Sequence, residues 1–345
     1  MKELSVKGAQ SSSKLLIGES LSNLPKYLSA SKLVVITDSK VRNLYKDNFP
    51  SAPVIEIGQG EKSKTLATVE KVVAELLELG VDRSWFIVAI GGGIVCDVAG
   101  FIASIYMRGL KFGFVSTTLL AQVDASVGGK NGVNSEGYKN MLGVFNQPEF
   151  VICDTSLLKT LDKQNILCGI AEIIKHALIA DKEKFLILAD NSEAVLALDE
   201  DLINDLVFRS VSIKAEVVNE DEREQGRRRV LNLGHTIGHA IEKIQGISHG
   251  MAVAAGLRYS VNLSVLKGML SKTVAEQIND MLDKYGFEQV SITKDELVSA
   301  VFKDKKRDGD SIYFIYLEDI GSPVIKKVKM DEFEEDINEL FKHSS

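Results

Sequence analysis

The stretch from Phe86 to Met107 constrains this chain more than any other. It is apolar for long enough to span a bilayer, yet Gly91-Gly92-Gly93 interrupts it near its start and Asp97 sits mid-way. A carboxylate at the centre of a bilayer costs about 3 kcal/mol or more, so the stretch reads as a buried strand, a glycine turn and a buried helix. The segments before it keep the same rhythm. Lys32 to Asp38 is a β-branched run ending in a carboxylate, and Val54 to Ile57 is a second short strand. Leu66 to Leu79 carries Val69, Val72, Val73, Leu76 and Leu77 at helical spacing and stops at Gly80. This alternation predicts an α/β domain with a parallel sheet and helices on its faces.

Beyond about Asp154 the texture changes. Helical patterns cover 170–188, 202–219, 230–243, 251–266 and 274–284, and a single alternating segment at 311–317 reads as a strand. Two domains are therefore expected, an α/β domain over 1–154 and a mainly helical one over 155–345. The length of 345 residues agrees, since one core seldom grows past roughly 250–300 residues.

Charge and cysteine usage narrow the class of partner. There are 48 Asp plus Glu against 41 Lys plus Arg, a net charge of -7, which opposes nonspecific binding to nucleic acid or an anionic membrane. Any anion site must be local. Cys96, Cys153 and Cys168 show no CxxC spacing and sit among apolar residues, as buried free thiols in a reducing cytoplasm do. The first residues, Met1 to Lys7, hold no apolar run that could serve as a signal peptide. A cytoplasmic protein is expected.

Three groups of residues carry chemistry. The glycine turn at Gly91-Gly92-Gly93 opens a helix, where glycines admit a phosphate close to backbone N–H groups and the helix N-terminus favours an anion. A tight strand-to-helix turn needs glycines with or without a ligand, and GxGxxG spacing is absent. Asp38, at a strand end, suits a ribose hydroxyl or an ordinary turn; Glu61 and Lys64 are polar loop residues with the same two readings. In the helical half, His235 and His239 lie four apart on one helix face, each preceded by a glycine that leaves room for something bulky, and His249 follows ten residues after His239. Glu172 falls in an apolar helical stretch, where an unpaired carboxylate is costly, so it calls for a cation. Zinc with three protein ligands and an open position fits such a set, while a lone core histidine would be the plainer reading. Basic residues next to glycine or asparagine, Arg108-Gly109, Gly128-Gly129-Lys130 and Lys139-Asn140, read singly as solvated charges and together as the lining of an anion pocket. Lys139-Asn140 is expected in a short loop.

These blocks, in this order, resemble the dehydroquinate synthases of the sugar-phosphate cyclase superfamily. The similarity runs through Gly91-Gly92-Gly93, Asp97 to Phe101, Tyr106 to Gly109, Thr117 to Asp124, Ser126 to Lys130 and Lys139 to Met141. It continues through Ala171 to Lys175, Lys214 to Val218, Asp221 to Glu224, Leu231 to Ala240, His249-Gly250 and Lys303 to Lys306, and spans roughly 33–320. The resemblance implies an NAD-binding α/β domain, a helical metal-binding domain, and an active site in the cleft between them. It implies Glu172, His235 and His249 as ligands of zinc, cobalt or another divalent metal. The substrate it implies, 3-deoxy-D-arabino-heptulosonate 7-phosphate, carries a carboxylate and a phosphate, and the product is 3-dehydroquinate. Lys130, Lys175, His239, Asp124 and Glu224 are the implied catalytic residues. Lys139, Asn140, Lys214, Arg228, Asn232 and Lys305 are the implied substrate contacts, with Arg108 contributed by the neighbouring subunit of a homodimer. Asp38, Glu61, Lys64, Gly92, Gly93, Asp97, Thr117, Thr118 and Thr160 are the implied NAD contacts. The same resemblance implies a phosphate-eliminating lyase in which NAD takes a hydride and returns it. Two departures stand out, Cys96 where the family has glycine and Met251 where a glutamate follows His-Gly. The competing readings are a cyclase for a substrate without a carboxylate, for which Lys214, Arg228 and His239 would be left unpaired, and a metal-dependent polyol dehydrogenase, which has no need of Lys130, Lys139 and Lys305.

Overall fold

The apolar stretch divides as the glycines dictate: Phe86–Gly91 is a strand buried at all six positions, and Gly93–Ile105 is a helix. The computed structural model of the chain describes residues 1–8, 11–302 and 309–343. They group into two units, Met1–Leu161 with Ile203–Arg223, and Asp162–Leu202 with Glu224–Ser345.

The first unit runs β1 (Lys2–Lys7), β2 (Ser12–Ile17), β3 (Leu33–Asp38), α1 (Ser39–Tyr45), β4 (Val54–Ile57), α2 (Leu66–Glu78), β5 (Phe86–Gly91), α3 (Gly93–Ile105), β6 (Lys111–Ser116), β7 (Lys130–Ser135), β8 (Tyr138–Phe145) and β9 (Phe150–Cys153). Its main sheet has the order β1-β2-β9-β6-β5-β3-β4, parallel throughout except for the edge strand β1. Chain order runs outward from β3 to β4 on one side and from β5 to β6 on the other. The sheet therefore has its topological switch between β3 and β5, and ligands of such sheets bind at the carboxyl ends of the strands there. Val35, Val88, Ile90, Val115 and Ile152 fill the interior of this sheet's core. Strands β7 and β8 make a separate hairpin joined by Glu136-Gly137, both with positive φ (49° and 75°), the backbone that a two-residue turn between twisted strands demands.

Most of one long helix also belongs here. Lys7 N donates to Asn219 Oδ1 at 2.7 Å, and the Thr155 hydroxyl donates to Asn204 at 3.0 Å. A single cut near 154 would separate these partners, because the chain re-enters the first unit after leaving it.

The second unit holds α4 (Lys163–Ala180), α5 (Lys182–Asp190) and α6 (Ser192–Leu196). Next comes α7 (Glu200–Glu220), most of which lies in the first unit. Then follow α8 (His235–Gln245), α9 (His249–Leu266), α10 (Lys272–Lys284), α11 (Lys294–Phe302), the hairpin β10 (Ser311–Asp319) and β11 (Ser322–Lys329), and α12 (Met330–His343). Two expected helices are broken. The pattern over 170–188 splits because Asp181 turns out of α4 and caps α5, accepting from Lys184 N at 2.9 Å. The pattern over 230–243 splits because Gly234 is left-handed (φ 78°), ending a 3-10 turn at Arg227–Asn232 before α8 begins. Ile237 and Ile241 of α8 are wholly buried with Leu297, Phe314 and Phe333. At ~1.5–3 kcal/mol for each such side chain, this packing anchors the helix whose other face carries the histidines. All three cysteines are free and buried. Among the described residues no helix is long and apolar enough to cross a membrane.

Candidate metal centre and nucleotide edge

Glu172 lies in the middle of α4, fully buried between Ala171, Ile173 and Ile174. His235 opens α8 and His249 opens α9. Glycines set the approach of these two helices. A Cβ on Gly238 would lie 2.7 Å from the Ala252 carbonyl, and one on Gly256 would lie 1.9 Å from the Gly234 carbonyl. The room left by the glycines before the histidines is thus filled by the backbone of α9. This contact brings the His235 and His249 rings to 5.7 Å, while the i, i+4 spacing along α8 puts the His235 and His239 rings 5.1 Å apart.

The Nε2 atoms of His235 and His249 lie 3.4 and 3.3 Å from the same Glu172 oxygen, Oε1. Lys175, one turn along α4, forms an ion pair with the other oxygen, Oε2. Burial alone would raise the Glu172 carboxyl, but Lys175 and the two histidines outweigh it and hold it well below the usual carboxylate range. Burial, reinforced by Lys175, lowers His235 and keeps it neutral. At His249 burial acts the same way, but hydrogen bonds to Glu172 and Glu242 override it and lift the ring to about 9. Two imidazole nitrogens and a carboxylate oxygen that converge on one point fit a divalent metal, the N2O set that leaves a coordination position open.

Near α8, Asn232 donates to Glu224, and both line a cavity of about 330 Å³ with Arg229, Thr236 and Tyr313. Arg228 is buried, and His239 lies edge-on to His235. Lys305, with the rest of Lys303 to Lys306, lies outside the described residues.

The residues of the first unit expected to contact a dinucleotide lie at the carboxyl edge of its sheet. Asp38 ends β3 and caps α1, accepting from Val41 N at 2.9 Å. Gly92 and Gly93 follow β5, where a Cβ would meet Thr118 at 3.0 Å and Ala125 at 2.8 Å, so the turn is tight against the loop after β6. Thr117 N donates to Gly91 O at 2.9 Å. Unlike α2, capped by Thr65, α3 has no side-chain cap, leaving its first N–H groups to an outside acceptor. Lys64 donates to Asp97 and to Asn140 Oδ1 at 2.5 Å, while Glu61 accepts from Asn134 at 2.7 Å, and Asn134 in turn accepts from Asn140 N at 2.9 Å. Burial pushes the Asp97 carboxyl up and Lys64 pulls it partly back, leaving it at about 6. The Thr160 hydroxyl shares a hydrogen bond with Tyr45 of α1 at 2.6 Å.

Other residues are spread out. Lys139 and Asn140 lie in strand β8 rather than in a loop, because Glu136-Gly137 completes the turn before them. Lys130 pairs with Phe145 at the open end of the hairpin, and Lys139 sits beside the turn. Asp124 meets Lys214 of α7, which donates to both its backbone carbonyl and its carboxylate at 2.6 Å. Arg108 follows the far end of α3, and the 13 residues of that helix put roughly 20 Å between it and the glycine turn. The sequence reading passes over Asn134 and Glu242. Glu242 was findable, since it lies three residues after His239 and seven after His235 on the same helical stripe.

The N-terminal domain of the 3-dehydroquinate synthases matches residues 54–168, and their C-terminal domain matches 169–307. The chain belongs to the 3-dehydroquinate synthase family. A 3-dehydroquinate synthase of Campylobacter concisus is 40% identical over 349 residues, covering 98% of this chain and 99% of that one. Among solved structures, a 2-deoxy-scyllo-inosose synthase complexed with carbaglucose-6-phosphate, NAD+ and Co2+ superposes with a TM-score of 0.87 at 27% identity over 98% of this chain and all (100%) of that one. A 2-epi-5-epi-valiolone synthase from Streptomyces hygroscopicus, with NAD+ and Zn2+ bound, gives 0.86 at 27% identity, covering 99% of this chain and 98% of that one. Identity is thus higher to the relative named 3-dehydroquinate synthase than to the other cyclases, although the fold is shared with both.

Proposed function

We infer that this chain converts 3-deoxy-D-arabino-heptulosonate 7-phosphate to 3-dehydroquinate and phosphate, as a lyase working in the cytoplasm as a homodimer. The observation that carries the reading is the convergence of Glu172, His235 and His249 on one point, in a chain whose whole length matches that family. Glu172, His235 and His249 would hold zinc, or cobalt in its place, and Asp38, Glu61, Lys64, Gly92, Gly93, Asp97, Thr117, Thr118 and Thr160 would hold NAD. When bound, the metal would supply Lewis-acid polarisation of a substrate hydroxyl and NAD would supply reversible hydride acceptance without net oxidation.

The remaining roles fall to the chain's own side chains. The uncapped first turn of α3 would receive the pyrophosphate of NAD. Lys130, Lys139 and Lys305, with Arg108 of a neighbouring subunit, would supply the positive charge that a phosphate needs, Asn140 would donate a neutral hydrogen bond to it, and Lys175 would act from beside Glu172. Lys214, Arg228 and Asn232 take the carboxylate end. His239, Asp124 and Glu224 hold and move protons, with Lys214 fixing the Asp124 carboxylate and Asn232 fixing that of Glu224. Clamping a flexible sugar acid at both anionic ends favours closure of its carbon ring by proximity.

The test is phosphate release measured in parallel with 3-deoxy-D-arabino-heptulosonate 7-phosphate, sedoheptulose 7-phosphate and glucose 6-phosphate, each with NAD+ and zinc. Turnover with the first alone is expected, and an Arg228→Ala change should lower kcat/KM by at least a hundredfold. Comparable rates on either carboxylate-free sugar would overturn the substrate assignment.

A further inference from the structure

Both histidines of the metal centre have their second ring nitrogen engaged. His235 Nδ1 meets the Leu233 carbonyl at 3.2 Å, and His249 Nδ1 meets Glu242 Oε2 at 3.5 Å. A carbonyl or a carboxylate only accepts, so in each ring Nδ1 is the nitrogen that keeps its proton when a metal takes the place of the Nε2 contact to Glu172, and Nε2 would then supply its lone pair to the ion.

The two rings differ in how firmly packing holds them. The His235 side chain is 11% exposed and that of His249 is 28% exposed, so His249 depends more on a hydrogen bond for its orientation. Glu242 is well placed to provide it. It lies on the same helical stripe as His235 and His239 on α8, a helix locked against α9 by the Gly238 and Gly256 contacts, and its own side chain is only 15% exposed. An anionic acceptor does more than orient the ring, because it also makes the ligating nitrogen a better donor.

We propose that Glu242 is the positioning residue for His249, fixing its tautomer and ring plane so that Nε2 faces the metal position beside Glu172. This rests on the metal reading above. The test must separate this role from direct ligation, since donor atoms of His239, Glu242 and His249 also lie within 4.8 Å of one another, close enough to ligate a cation themselves.

The experiment is zinc affinity by chelator competition, with metal counted per chain and the visible absorption of the cobalt-loaded protein recorded, for the full-length parent, Glu242→Ala, Glu242→Gln and His235→Ala. One ion per parent chain is expected. Glu242→Ala should bind zinc about 10–100-fold more weakly with an unchanged cobalt band pattern. Glu242→Gln, which keeps an acceptor without the charge, should fall between that variant and the parent, and His235→Ala should lose the ion. If Glu242→Ala does not fold, judged by far-ultraviolet circular dichroism, Glu242→Gln decides, and parental affinity in it overturns the proposal. Parental affinity in a folded Glu242→Ala overturns it too. Retention of the ion by His235→Ala together with its loss from Glu242→Ala would make Glu242 a ligand instead of a positioning residue. A parent that binds no zinc removes the metal reading itself, whereas a parent that binds it as tightly as Glu242→Ala removes only this inference.

Discussion

Lys175 forms an ion pair with the Glu172 oxygen that the two histidines do not face, and the Lys175 and Glu172 side chains are 2% and 0% exposed. One carboxylate therefore serves two purposes, an internal counter-charge on Oε2 and a ligand-type contact on Oε1. Taking away one member of a buried pair strands the other charge at a cost of about 3–5 kcal/mol, whereas replacing both leaves far less to compensate. Lys175→Met should accordingly lower stability by about that much in metal-free protein. Glu172→Gln/Lys175→Met should be less destabilised than Lys175→Met alone. Urea unfolding in the presence of chelator measures both, and equal losses in the two variants would contradict the pairing.

Metal binding should stabilise the fold through the same three donors. An ion held only by the native state adds about 2.7 kcal/mol when free metal is a hundred times its dissociation constant. Zinc should raise the melting temperature of the parent and leave His235→Ala and His249→Ala unmoved. Elemental analysis after dialysis should find the ion in the parent alone.

Asp97 gives a pH signature with a definite sign. Its carboxyl is raised to about 6 from an ordinary value near 3.8, with burial as the leading cause. The folded state thus holds its proton more tightly than the unfolded chain does. The stability this contributes is full below about pH 4 and is lost as pH rises through about 6, by ~2–3 kcal/mol. Asp97→Asn cannot lose it. The stability of Asp97→Asn relative to the parent should therefore grow between pH 4 and pH 7, and a difference that stays flat across that range would contradict the assignment.

The helix crossing is equally exposed to test. A methyl group at Gly256 would meet the Gly234 carbonyl at 1.9 Å, and backbone on both sides leaves it nowhere to go. Gly256→Ala should cost about 1–3 kcal/mol or more by overpacking, and it should weaken zinc binding by moving α8 away from His249. Parental stability in that variant would mean that the two helices do not approach this closely.

The β-α-β rhythm was legible because fully buried strands such as Phe86–Gly91 and amphipathic helices such as Leu66–Glu78 each carry their own period. The hairpin of β7 and β8 was not, since Lys130–Ser135 has little apolar alternation and its pairing depends on the left-handed backbone at Glu136-Gly137. The breaks at Asp181 and Gly234 were hidden for a related reason: apolar spacing continues across them, and only a cap and a close backbone contact end the helices. At the candidate site, His235, His239 and Glu172 announced themselves by residue type in apolar surroundings. Asn134 and the link from Lys64 to Asn140 did not, because polar residues in loops and on hairpins look alike until the chain brings them together.

Asp38 supports a last prediction, in which two roles of one carboxylate can be separated. It ends β3 at the topological switch of the sheet, where an acid that accepts from a ribose hydroxyl would repel the extra phosphate of NADP. It also caps α1 by accepting from Val41 N. Asparagine caps a helix about as well as aspartate but carries no charge, while alanine loses about 1 kcal/mol of capping. Asp38→Asn should therefore melt within a degree or two of the parent yet narrow its preference for NAD over NADP. Asp38→Ala should lose both stability and preference. Product should form in large excess over added NAD+ without accumulation of NADH absorbance, so the preference is best read as the ratio of turnover supported by each dinucleotide at limiting concentration. A parent that prefers NADP, or an Asp38→Asn protein with the parental ratio, would remove Asp38 from the dinucleotide site and leave it a helix cap alone.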